Sequence, residues 1–99
     1  MEHRTHVVNS LDELREYIHA TLCEKENLVP EQFHMVEESL VSRDRLCGIQ
    51  FSLRGLRSVR LGAIWTADQN SIYFYDARGD RYLKVKLTER FEVACRQSA

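Results

Sequence analysis

Proline appears once in the 99 residues, at Pro30, and glycine only four times, so no stretch has the composition of a long flexible linker. Internal repeats and low-complexity tracts are absent, which excludes a repeat architecture. No apolar run approaches the ~20 residues of a membrane-spanning helix, and the opening MEHRTHVVNS has no apolar stretch of signal-peptide length. Together these absences lead to an expectation of a cytoplasmic chain without a membrane partner. Cysteine is scarce: Cys23, Cys47 and Cys95 are odd in number, far apart and never in a CxxC pair, which argues against a disulfide framework. An excess of one charge is missing too, with 14 Lys and Arg against 15 Asp and Glu, so overall charge gives no reason to expect nucleic acid.

What is present is an ordinary globular balance, 43% apolar and 29% charged, in a chain long enough for one domain and too short for two. A chain of this size buries roughly two-thirds of its unfolded surface and needs neither disulfide nor metal to fold. The near-zero net charge conceals a polarity. Residues 1–40 hold nine acids against three bases, and residues 41–99 hold eleven bases against six acids. The second half alone is a mild reason to ask about anionic partners.

Residues 1–9 read as a flexible N-terminus. Ser10 and Glu13 then have capping-box spacing, with Val8 and Leu14 as the apolar pair beside them. Leu11, Leu14, Ile18 and Leu22 recur at three- and four-residue intervals, the stripe of a helix with one buried face, and Asn27 and Pro30 end it. The expected helix covers 11–26. From Phe33 the period changes to two, and a sheet is expected over 33–87, with its clearest strands at 47–54, 58–66, 71–76 and 81–87. Turn chemistry separates them: Gly55, Asp68-Gln69-Asn70 and Arg78-Gly79-Asp80. The segment 33–41 reads as an edge strand in preference to a helix, and either strand parity turns one of Glu37 and Glu38 inward. The tail, 88–99, is a short helix carrying Phe91, Ala94 and Cys95, or a frayed end. The fold class is thus α+β: an N-terminal amphipathic helix on one face of a four- to five-stranded antiparallel meander.

Registering the hairpins gives two faces. One collects Ile49, Phe51, Leu53, Val59, Leu61, Ala63, Trp65, Ile72, Phe74, Leu83, Val85 and Leu87, a continuous apolar surface for the helix to cover. The other displays Gln50, Ser52, Arg54, Arg60, Gly62, Ile64, Tyr73, Tyr75, Tyr82, Lys84 and Lys86, with no acid among them. The register puts Tyr75 opposite Tyr82 and Tyr73 opposite Lys84.

Three accounts fit that second face. A solvated sheet carries Tyr, Arg and Lys simply to make good cross-strand pairs. A protein interface uses Tyr and Arg at its centre, and a one-layer sheet with a bare face gains by stacking on a second copy or another protein. Single-stranded nucleic acid uses aromatic rings for bases and cations for phosphates. The element order does not match the two βαβ units of an RNA-recognition fold and contains no RNP-type motif.

Catalytic and metal chemistry find little support. His3 and His6 have no Cys or acid cluster placed to complete a metal site. His19 and Cys23 share a helix face, read as lying away from the core stripe, but the C-terminal end of a helix raises a thiol pKa. Cys47 reads as a small buried strand residue. Arg57, with Arg54 and Arg60 round the Gly55 turn, is the best rim position for an anion contact. Arg78-Gly79-Asp80, though an integrin-type tripeptide, reads as a hairpin turn. The sequence therefore leads to a noncatalytic module without cofactor or metal, whose open face binds protein or a second copy of itself. Single-stranded nucleic acid is the alternative.

Overall fold

The computed structural model describes residues 1–25, 34–54 and 60–91, the side chains of Arg54 and Arg60 apart. Its elements in chain order are β1 (Glu2–His6), α1 (Leu11–Lys25), β2 (His34–Ser42), β3 (Arg45–Arg54), β4 (Arg60–Thr66), β5 (Ser71–Tyr75) and β6 (Arg81–Leu87). The helix starts where its cap dictates. Ser10 Oγ accepts the Glu13 amide at 3.2 Å, while the Glu13 carboxylate reaches back to the Asn9 amide at 3.0 Å, one residue before the cap. Leu14, Ile18 and Leu22 are fully buried, as their spacing requires. Cys23 is buried beside them, which corrects its expected place on the outer face.

β2 to β6 form a continuous antiparallel meander, and β1 adds to β6 in parallel, giving the order β1-β6-β5-β4-β3-β2. The sheet thus has six strands and is mixed, where four or five antiparallel strands were expected. The difference is β1. Residues 2–6, expected to be flexible, pair with Leu83–Leu87, and the Thr88 amide continues the ladder to the His6 carbonyl at 3.1 Å. Side chains from α1 hold this strand down. His6 stacks on Tyr17 with ring centroids 4.0 Å apart, and Tyr17 meets the buried Phe74 edge-on at 6.4 Å.

One face of the sheet carries the core: Ile49, Phe51, Leu53, Leu61, Ala63, Trp65, Ile72, Phe74, Leu83, Val85 and Leu87 are all buried against α1 and Val8. Each large side chain so buried contributes about 1.5–3 kcal/mol. At the edge, β2 takes the parity that turns Glu37 toward the helix. There Arg15 binds it with two bonds, Nε to Oε1 at 2.7 Å and Nη2 to Oε2 at 3.0 Å. Glu38 therefore faces the other way.

At the far end Asn70 ties three segments together. Its carbonyl accepts the Trp65 indole N–H at 3.1 Å, and its amide donates to Glu89 O at 2.9 Å and Leu87 O at 3.4 Å. Residues 88–91 follow as irregular chain rather than helix, with Phe91 packed on Trp65 and Arg90 donating to the Ala67 and Asp68 carbonyls. The expected features at Asn27, Pro30, Phe33, Gly55, Arg57, Val59, Ala94 and Cys95 lie outside the described residues.

Two positions carry opposite backbone demands. A Cβ on Gly48 would overlap the Trp65 carbonyl oxygen of the neighbouring strand. Asp44, in the tight turn joining β2 to β3, has φ of 63° and Arg43 beside it 53°, a left-handed pair that favours Asn-Gly. Gly48→Ala is expected to lower unfolding free energy by about 1–3 kcal/mol, and Asp44→Gly to raise it by about 0.5–1 kcal/mol. Urea denaturation followed by Trp65 fluorescence checks both signs.

Candidate interaction face

The face opposite α1 is covered by no described element. Its residues fall into rows across the strands. The central row runs Glu38, Gln50, Ile64, Tyr73, Lys84, His3. On one side of it lies Val36, Ser52, Gly62, Tyr75, Arg81, and on the other Leu40, Gly48, Thr66, Ser71, Lys86, Thr5. Of the residues expected here, the structure brings together Ile64, Tyr73, Tyr75, Lys84 and Lys86. By register, Arg54 and Arg60 pair with each other at one end of β3 and β4, while Arg57 lies outside the described residues.

Tyr82 is not on this face. Between Phe74/Leu83 and Tyr75/Arg81 the register slips by one residue, a bulge that leaves Tyr82 unmatched and turns it to the helix side. Its ring lies 6.3 Å from that of Phe74, and the Lys25 ammonium, from the last turn of α1, sits 4.6 Å above it. The expected Tyr75–Tyr82 pair is therefore replaced by Tyr75–Arg81, whereas Tyr73 does stand opposite Lys84.

Arg81, which strict alternation from Leu83 would turn to the helix side, stands on the open face and organises the two tyrosines there. Its guanidinium donates to the Tyr75 hydroxyl through Nη2 at 2.8 Å and Nε at 3.2 Å. The same group lies 4.4 Å from the Tyr73 ring centroid and 5.3 Å from that of Tyr75, and Lys84 Nζ lies 5.4 Å from Tyr73. Tyr73 in turn donates its hydroxyl to Gln69 Oε1 at 2.6 Å. The rings are thus held by internal contacts before any ligand arrives. Beside them, Ile64, Tyr73, Tyr75 and Arg81 line a shallow groove of about 480 Å³ that reaches Cys47 and Thr66. Cys47 is exposed there, not buried as expected, because the β2–β3 register also slips next to it, between Leu40 and Val41.

A second open groove runs along the β1–β6 seam between His3, Thr5, Lys84 and Lys86. Arg81, Lys84 and Lys86 make no ion pair with any described residue. β1, a strand with no apolar alternation, supplies half of this seam. His3 and His6, three apart on that strand, point to opposite faces, so they cannot share a metal ion. Among the described residues no three His, Cys, Asp or Glu side chains converge on one point, and no helix is long and apolar enough to cross a membrane.

The turn before Arg81 fixes its direction. Asp76 accepts the Arg78 and Asp80 amides on Oδ1, both at 3.0 Å, its own amide donates to the Asp80 carbonyl at 2.9 Å, and Gly79 takes φ of 85°, so Ala77-Arg78-Gly79 forms a three-residue hairpin loop that Asp80 closes. No protein-family model, curated protein or solved structure matches the chain.

The Asp80 amide, followed by that of Arg78, holds the Asp76 carboxyl below the usual aspartate range. A depressed folded-state pKa gives support that is complete above the ordinary value of about 3.9 and is lost as pH falls through the folded value. Asp76→Ala should therefore lower the melting temperature at pH 6, and the gap from wild type should narrow progressively below about pH 4. A gap that stays constant from pH 6 to pH 2 would show that the carboxylate does not hold the turn.

Proposed function

We propose that this chain is a noncatalytic interaction module that docks another polypeptide on its open sheet face, with Ile64, Tyr73 and Tyr75 at the centre and Arg81, Lys84 and Lys86 beside them. The observation that carries this reading is the preset Arg81–Tyr75–Tyr73 cluster on a face that no described element covers. Rigid Tyr and Arg anchors lose little conformational freedom on binding, so ordering costs at the centre are low. Val36, 48% exposed on the same face, extends the apolar strip toward the β2 edge.

Single-stranded nucleic acid is the second reading, supported by the three cations without acidic partners. It is the weaker of the two because Arg81 and Lys84 already lie over the Tyr73 ring, so a base must displace a cation to stack there. Affinity for a short oligonucleotide that falls steeply with salt and drops with Tyr73→Ala would favour it.

A photo-reactive benzoylphenylalanine in place of Tyr75, activated in the cells that make the protein, tests the polypeptide reading. Discrete protein adducts are expected from position 75 and none from Ala20, on the exposed side of α1. Equal labelling at both sites, or none at either, would sink the proposal.

A further inference from the structure

We infer that the polypeptide seated on the open face is a second copy of this chain, related by a two-fold axis that lies parallel to the strands above the seam between β4 and β5. This rests on the reading of the open face as a docking surface and commits it to one occupant.

Charge is the first argument. Among the described side chains the face is polarised across the sheet: β1 and β6 bring His3, Lys84 and Lys86 to one end, while β2 and β3 bring Glu38 and Gln50 to the other. A two-fold axis parallel to the strands lays β1 and β6 of one copy over β2 and β3 of its partner. His3 and Lys84 then approach the other copy's Glu38, twice by symmetry, and the lysines of the two copies stay apart. A two-fold axis running across the strands would instead lay β6 on β6, lysine against lysine, which costs affinity. The acidic outer side of α1, with Asp12, Glu13, Glu16 and Glu24 exposed, is on the far side of both copies.

Shape is the second argument. The chosen axis places β5 over the partner's β4, so Tyr73 of each copy meets Ile64 of the other along the central row. In the adjacent row Tyr75 meets Gly62, whose missing side chain leaves room for a ring. Apolar contacts therefore fall at the centre and charged ones at the rim, the arrangement of a specific interface.

Area is the third. Six strands about 4.8 Å apart make a face roughly 24 Å wide, and seven-residue strands make it roughly 20 Å long. Two such faces bury about 960 Å², the size class of weak, reversible association. The dimer should accordingly be reversible and dissociate on dilution through the micromolar range.

The test uses exposed charge reversals whose folding is checked by thermal melting. Sedimentation should give wild type a mass twice 11.6 kDa at high concentration. Glu38→Lys alone, and Lys84→Glu alone, should each weaken the dimer on the order of tenfold, because each sets like charges together twice. Mixing the two variants should restore association as a heterodimer, since both contacts then join opposite charges. A monomeric wild type at every concentration overturns the inference, as does a dimer indifferent to both reversals, or a mixture no tighter than its components. The photo-adducts of position 75 separate the two levels: adducts with a different protein alongside a monomeric wild type leave the docking face standing without self-pairing, whereas no adducts and no dimer remove both.

Discussion

A sheet has two faces and the described chain supplies one helix. That inequality governs the molecule. A 15-residue helix is about 22 Å long, enough to cross a six-stranded sheet once and not to serve both of its sides. The leucine and isoleucine stripe of α1 seals the face bearing Phe51, Trp65 and Phe74, and packing there fixes which residues of every other strand point outward. The open surface is thus not an independent feature. It is what remains once the core has taken its half of each strand.

This dependence explains why so much of the arrangement is legible in the residues. Alternation across β3 to β6 identifies the buried side chains, because a one-residue slip would move an entire set from core to solvent. The departures occur where a bulge changes the count locally. In β6 the extra residue sends Tyr82 to the helix and delivers Arg81 to the opposite side; in β3 a similar irregularity exposes Cys47. Neither bulge has a glycine or proline at the slipped residue to announce it. β1 was hidden for a different reason. Glu-His-Arg-Thr-His has no apolar alternation, and its place comes from backbone pairing with β6 and from the His6–Tyr17 stack, a contact with a residue eleven positions away. Of the surface set, Ile64, Tyr73, Tyr75, Lys84 and Lys86 follow from alternation, whereas Arg81 owes its place to the β6 bulge and His3 to the pairing of β1 with β6.

Glu37 and Glu38 show how one dipeptide serves two surroundings. As neighbours on a strand they point to opposite sides of the sheet. Glu37 is met by Arg15, so an acid on the core side of an edge strand gains a two-pronged partner instead of an unpaired charge near apolar neighbours. Glu38 becomes the one acid in the central row of the open side, at the greatest distance from the lysines of β6. One acid from the acidic first half is thereby set on the same face as the lysines of β6, at the opposite end of the rows that cross the strands.

The pairing of β1 with β6 joins residues about eighty positions apart, the longest connection in the sheet, while β2 to β6 join through hairpins between neighbours in sequence. Loop-closure entropy and contact order favour assembling the hairpins first and adding β1 afterwards. Until β1 arrives, the outer edge of β6 shows an open row of amides and carbonyls. Nothing in that row distinguishes a first strand arriving from the same chain from one belonging to another molecule. Concentrated refolding therefore offers a route to strand-swapped species, in which each chain lends its opening segment to its neighbour.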